Sequence, residues 1–458
     1  MNKKIVLSAI SLGLLSSVNV HAAEDLSSML SEGKTSGQIR AFYVDRQYNG
    51  SLVTDASANH RNAFNIGGHL KFETAELNGL SFATSFYTTN NINAFNYGGG
   101  SKHDPSLTGS NGDGYSILGE AYVNYKIGTS KTNAKLGFQR YDTPMMGSDD
   151  ARMIPNTFQA YKLVSKDVEN VTFQVAHVNQ ITYGTFSNIY KHDGTSSAKA
   201  IVASTSGYTS AANSATGKYV NLGEATVGEK TAGVTNVLVC AKGDSYKVRL
   251  SNDFAYDMYN TLYMDAMVKA SIVSVSAQVI KQNSVGKELM QNSSLAGTGE
   301  IDSLYWAAKV AVKSSGATVY AAYSQTGAND SADLASNTYK NAIVSQFGGM
   351  PAYTQGMVTR HQFLAGTKAM KFVGAYNFKD MGTNLSAAAY YASFDMDANS
   401  GYGVERTAHE SGFDVKYTPE SVKKLQLRFR GNFPRKFYES ASGDKGWNEY
   451  RLIANYTF

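Results

Sequence analysis

The chain has 458 residues and a formal net charge of +5, with 17% charged residues, 42 glycines, 30 tyrosines, 6 prolines and a single cysteine. A mean hydropathy of −0.29 excludes a bundle of apolar membrane-spanning helices, and the low content of proline and charge excludes a disordered chain. One cysteine, Cys240, excludes an internal disulfide framework and reads as a packed thiol in an apolar run; the mild positive excess, with no basic run, gives no reason to expect nucleic acid as a partner.

Residues 1–22 read as a secretory signal peptide. Lys3 and Lys4 form the charged start, Ile5 to Val20 the apolar stretch, and Val20-His21-Ala22 the cleavage site. Residues 23–458 are expected to form one domain, although length alone suggests about three. The recurring pattern is period-two alternation over about ten to fourteen residues. It predicts 18 strands near 36–47, 62–75, 79–90, 115–128, 132–142, 157–166, 170–181, 234–242, 246–255, 261–270, 272–282, 303–314, 316–326, 366–379, 383–396, 409–419, 423–434 and 447–458. Each strand has one apolar and one polar face. In the second, Phe64, Ile66, Leu70 and Phe72 oppose Asn65, His69, Lys71 and Glu73. In the fourth, Ile117, Ala121, Val123 and Tyr125 oppose Leu118, Glu120, Tyr122 and Asn124.

The connections alternate in length. Tight ones, such as Glu76-Leu77-Asn78-Gly79 and Ser314-Ser315-Gly316-Ala317, exchange with long ones at 48–61, 91–114, 143–156, 182–233, 283–302, 327–365, 397–408 and 435–446; only 256–260 breaks the order. A soluble sandwich has no reason to collect its long loops at one end, whereas a transmembrane β-barrel has short periplasmic turns and long extracellular loops. Strands of about 9–11 tilted residues also suffice to cross a bilayer. The last strand alternates Tyr450, Leu452, Ala454, Tyr456 and Phe458 against Glu449, Arg451, Ile453, Asn455 and Thr457, the terminal-aromatic pattern of an outer-membrane barrel. The expected fold is therefore an all-β antiparallel transmembrane barrel, and the tyrosines are expected at its two membrane interfaces.

The stretch Ala134-Lys135-Leu136-Gly137-Phe138-Gln139-Arg140-Tyr141-Asp142-Thr143-Pro144, continuing through Asp149-Asp150-Ala151-Arg152-Met153-Ile154-Pro155-Asn156-Thr157-Phe158, resembles the OprD-like substrate-specific porins of Gram-negative outer membranes. So do Val171-Thr172-Phe173-Gln174-Val175-Ala176-His177 and Phe347-Gly348-Gly349-Met350-Pro351-Ala352-Tyr353-Thr354. The resemblance implies an 18-stranded barrel whose third extracellular loop folds inward and narrows the lumen. It also implies a ladder of basic residues that leads carboxylate-bearing solutes (amino acids, short peptides or organic acids) through that constriction. On polar-facing positions Arg428, Arg430 and Arg451 are the first candidates for the ladder, with Arg249, Lys371 and Arg40, and with Lys247, Lys71 and Lys309 of compatible parity. Arg152, Asp149 and Asp150 lie in the folded loop, where the acids, with Asp142, Glu120 and Asp265, would oppose the basic wall; pairing of Asp149 and Asp150 with Arg152 is the alternative. Ala151 stands where the family tends to have serine. A row of guanidinium groups offers a carboxylate successive weak sites, and the planar fork grips both oxygens.

No zinc helix, phosphate loop or nucleophile elbow occurs. Asn111-Gly112-Asp113-Gly114 faintly suggests a calcium loop but lacks the following glutamate, so neither metal nor cofactor is expected. The rivals to a pore are a barrel hydrolase, built on His177 with nearby serines, and an adhesin using the loops at 182–233 and 327–365. The expected partners are outer-membrane lipid, small solutes and the barrel-assembly machinery, the last reached through the strand ending at Phe458. A homo-trimer contact would share the lipid-facing pattern, so the sequence leaves monomer and trimer open.

Overall fold

The computed structural model describes residues 23–49, 60–92, 103–108, 113–187, 217–286, 288–292, 298–336, 340–349, 351–437 and 446–458. The strands are β1 (Lys34–Asn49), β2 (His60–Glu73), β3 (Leu80–Asn91), β4 (Tyr115–Lys126), β5 (Thr132–Gln139), β6 (Thr157–Ser165), β7 (Val171–Thr182), β8 (Val220–Asn221), β9 (Val234–Lys242), β10 (Tyr246–Ala255), β11 (Tyr259–Ala270), β12 (Val273–Ser284), β13 (Asp302–Ser314), β14 (Ala317–Thr326), β15 (Lys368–Asn377), β16 (Leu385–Met396), β17 (Arg406–Tyr417), β18 (Leu425–Arg435) and β19 (Gly446–Thr457). β8 is a two-residue strip against β7. The other 18 are the strands expected from alternation, with ends within three residues of the expected ones.

Every neighbouring pair is antiparallel, β7 pairs with β9, and β1 pairs with β19, so the sheet closes into an 18-strand ring. Closure leaves no unpaired strand edge, which is the condition for placing β-structure in hydrocarbon. No helix among the described residues is long and apolar enough to cross a membrane. The faces are inverted relative to a soluble protein. Ile39, Leu70, Phe86, Leu118, Leu262, Phe372 and Leu452 are exposed on the outside, while Ser85, Gln139, Asn236, Asp253, Gln278, Glu410 and Glu449 are buried inside.

Two bulges interrupt the alternation. Ser85 faces Glu120 but Phe86 faces Leu118, leaving Gly119 as an extra residue in β4. Ile117 is consequently buried inside and Tyr125 exposed outside, rather than sharing one face. A bulge adds one residue to one strand and reverses the parity beyond it. The same occurs at Asn179 in β7. The tight turns follow local chemistry. In the β2–β3 turn Asn78 (φ 52°) and Gly79 (φ 85°) are both left-handed, as a two-residue I′ hairpin turn requires. A Cβ on Gly79 would lie 2.5 Å from the Lys126 carbonyl oxygen.

The apolar core sits inside the ring. Tyr263, Ile280 and Tyr305 of the wall pack with Met145 and Met146 from the β5–β6 connection. Ile343, Val344, Phe347 and Phe363 from the β14–β15 connection join them, with Leu222, Ala225 and Val227 of the short helix Leu222–Val227. The two long connections also touch each other: Met146 and Phe347 form a parallel bridge, and Gly147 N–H donates to Phe347 O at 3.0 Å.

Candidate functional site

The polar side of β17–β19 carries the first group of predicted residues. Leu427 and Phe429 are exposed on the outer face, so Arg428 and Arg430 point inward from β18. Arg428 Nε donates to Asp414 Oδ1 at 2.7 Å, and its Nη2 reaches the other carboxylate oxygen. Asp414 stands directly opposite Arg430, whose Nε is 3.7 Å away, and Lys416 Nζ is 3.9 Å away. Three cations thus share one carboxylate, and two positive charges remain on this patch. Arg430 Nε is buried with no hydrogen-bond partner among the described residues.

Arg451 is directly opposite Arg430 but belongs to another group. It donates to Asn432 Oδ1 at 2.7 Å and pairs with Glu449. Glu449 also receives Arg46 of β1 and, at 2.9 Å, Arg152 of the β5–β6 connection. Arg46 meets Asp104 at 2.7 Å, and Arg152 Nε donates to Ser106 Oγ at 3.2 Å. All five charged groups of this cluster are fully buried. Arg152 is therefore paired with Glu449 and not with Asp149 or Asp150. Neither Arg46, Asp104 nor Glu449 was picked out as a site residue from the sequence, although the parity of the last strand turns Glu449 inward.

Asp150 instead pairs with Arg40 of β1 at 2.7 Å and with Arg140 at 3.5 Å. Arg40 also donates to Asn455 Oδ1 at 2.8 Å and to the Arg152 carbonyl. Burial opposes ionisation of Asp150, but Arg40 and Arg140 outweigh it and hold its carboxyl down at about 2. Asp142 is occupied by Ser148, whose N–H and Oγ donate at 2.7 and 2.9 Å. The acids of this segment thus serve as its anchors.

Asp149 ties the segment to the β14–β15 connection. It accepts from Gly349 N–H at 3.2 Å and lies 3.6 Å from Arg360. Burial pushes its carboxyl up to about 6, more than Arg360 can offset. The folded arrangement therefore favours the protonated acid. The stability gained is complete below the unfolded value near 4 and is lost as pH rises through about 6. Docking of the two connections should tighten as pH falls from 7 to 5. Current noise of the open channel should decrease over that window, and Asp149→Asn should abolish the dependence. Noise that stays constant across the window in the unmodified protein would disprove the linkage.

The remaining candidates are spread round the wall. Arg249 of β10 pairs with Asp265 at 2.6 Å and reaches Tyr263 Oη at 3.2 Å. Lys371 of β15 donates to Gln355 O at 2.6 Å and lies 4.9 Å from the Tyr390 ring centre. Lys309 of β13 lies 4.3 Å from the Tyr353 ring centre, and Lys71 of β2 donates to Tyr122 Oη at 2.7 Å. Lysine seated on tyrosine recurs at Lys135 and Lys162, which sequence reasoning passed over. The β14–β15 connection is tied to the wall by Glu410 of β17, also missed. It accepts from the N–H groups of Met357 (2.7 Å), Val358 (3.3 Å) and Thr359 (2.9 Å), from Thr359 Oγ1 (2.5 Å) and from Tyr390 Oη.

His177 Nδ1 hydrogen-bonds Thr235 Oγ1 at 3.0 Å, and its ring packs against Tyr256. Neither a serine nor a carboxylate is among these contacts within the described residues. No group of three metal-ligating side chains occurs among the described residues. Asn111 and Gly112 of the calcium-like run lie outside them.

No curated protein sequence matches the chain. Its fold is similar to solved structures of Pseudomonas aeruginosa OpdK with vanillate (14% identity, TM-score 0.69, covering 94% of this chain and 99% of that one) and Pseudomonas aeruginosa OccK9, or OpdG (17%, 0.69, 94% and 100%). It is also similar to that of Acinetobacter baumannii OccAB3 (17%, 0.69, 93% and 99%). The sequence profile of the outer membrane porin, OprD family, matches residues 28–458. With a closed 18-strand ring, an inverted surface and this match over almost its whole length, the chain belongs to the OprD family of outer-membrane porins, proteins of the Gram-negative outer membrane.

Proposed function

We propose that this porin conducts small carboxylate-bearing solutes along a basic wall, through a lumen narrowed by the 140–156 segment. The observation that carries the reading is the patch on β17 and β18, where Arg428, Arg430 and Lys416 share the single carboxylate of Asp414. An arginine fork already held by one carboxylate, with surplus positive charge beside it, gives an anion a shallow site it can leave again. Arg249, Lys371 and Arg40 extend basic character round the wall. In this reading Arg152, Arg451, Asp149 and Asp150 fix the narrowing segment in place and touch the solute only in passing. The neighbour solved with vanillate, a carboxylate, is consistent with this class of solute.

Export by residues 1–22 and assembly through β19, after which Phe458 exchanges backbone hydrogen bonds with Gly37, complete the proposal; residues 1–22 lie outside the described residues. In planar bilayers the purified protein should show single-channel steps. The double variant Arg428→Ala, Arg430→Ala should shift the reversal potential toward cation preference and shorten blockade by organic acids. Unchanged anion preference would sink the basic-wall reading while leaving the pore intact.

A further inference from the structure

A second uncompensated cationic group lies on β5 and β6, six strands round the ring from β18. Lys135 and Lys162 are direct cross-strand partners. Leu136 and Tyr161, the outward neighbours in sequence, are exposed, so both lysines turn inward. Residues directly opposite on antiparallel strands hold their Cβ atoms about 5 Å apart, and like charges so placed repel. Neither lysine makes an ion pair among the described residues. Lys135 Nζ instead lies 3.9 Å from the centre of the Tyr122 ring, and Lys162 Nζ lies 5.7 Å from that of Tyr141. A ring face attracts an ammonium group and fixes its position without cancelling its charge.

The surrounding groups do not supply the missing anion. Lys71 adds a third cation, hydrogen-bonded to Tyr122 Oη at 2.7 Å, and Glu73 is 3.1 Å from it. Glu120 accepts from Tyr87 Oη at 2.8 Å. Asp142 is held by Ser148. Arg140 faces Asp150. Two inward ammonium groups from directly paired positions, each against a ring face, offer a carboxylate cationic contacts from neighbouring strands. We propose that Lys135 and Lys162 form a further anion site of the solute path, which receives a carboxylate after it has passed the 140–156 segment. The placement follows from the strands: β5 runs from a tight, periplasmic-side turn to Gln139, where that segment begins, and Lys135 lies between the two. The site rests on the reading of the pore as a path for carboxylate solutes and extends it to a wall that holds none of the arginine candidates.

The test uses the full protein in planar bilayers, with benzoate as the probe. Lys135→Gln with Lys162→Gln, and Lys162→Gln alone, are first shown to fold and insert as open channels in molar potassium chloride; Lys162→Arg is the charge-conserving control. Loss of the two charge-assisted contacts should shorten the dwell time of benzoate blockade by about tenfold in the double variant. The arginine control should retain it. Dwell times unchanged in the lysine variants but shortened in Arg428→Ala, Arg430→Ala would overturn this site and leave the arginine wall. Absence of benzoate blockade in the unmodified channel would overturn both.

Discussion

Replacing Glu449 with alanine should lower the stability of the folded barrel by roughly 3–5 kcal/mol, the cost of removing one partner of a buried ion pair. The effect is large because one carboxylate serves three guanidinium groups, Arg46, Arg152 and Arg451, all fully buried. Asp104 still meets Arg46, and Asn432 still accepts from Arg451, but Arg152 would lose its contact with Glu449. The temperature at which the protein converts from its compact to its unfolded electrophoretic form should fall. The 140–156 segment should also become accessible to protease. Glu449→Gln, which keeps the shape and one acceptor, should fall between the two. An alanine variant with wild-type heat resistance would show that the cluster adds no net stability.

Glu410→Gln should release the 356–359 turn from the wall. Every contact that Glu410 makes there comes from a donor: three backbone N–H groups, the Thr359 hydroxyl and the Tyr390 hydroxyl. A carboxylate accepts at both oxygens, whereas a glutamine presents an amide nitrogen that can only donate. The substitution therefore loses charge-assisted bonds and sets donor against donor, at a cost on the order of 3 kcal/mol. Protease cleavage within 351–360 should accelerate while the barrel remains folded. Cleavage at the wild-type rate would show that the apolar contacts of Ile343, Val344 and Phe347 hold the connection by themselves.

The strands were legible because period-two alternation is a local signal and the environment inside and outside the ring is sharply different. Leu70 beside Lys71, and Phe429 between Arg428 and Arg430, announce their faces without knowledge of any neighbour. The bulge at Gly119 was not legible, since an extra residue is defined by what lies opposite, Ser85 and Phe86. The candidate site was legible as an inventory of inward cations and illegible as a pattern of pairing. Arg428 and Asp414 are adjacent only through strand register, and Arg152 meets Glu449 across 297 positions of chain. Tyrosine is the plainest example. Composition and membrane physics place it at the interfaces, yet Tyr87, Tyr122, Tyr141, Tyr263 and Tyr305 are buried inside the ring, and three of these hold a lysine or arginine. Lys135 and Lys162 become a pair only through the register of β5 and β6, which the sequence does not display.

Arg46 and Glu449 face each other across the junction of β1 and β19, the two strands that meet last in sequence. The buried cluster that receives Arg152 of the β5–β6 connection is split between the ends of the chain, and it is not complete before those ends join. Glu449 therefore holds its full set of guanidinium partners only in the closed ring, and this one cluster reports closure in a way that no single strand pair can.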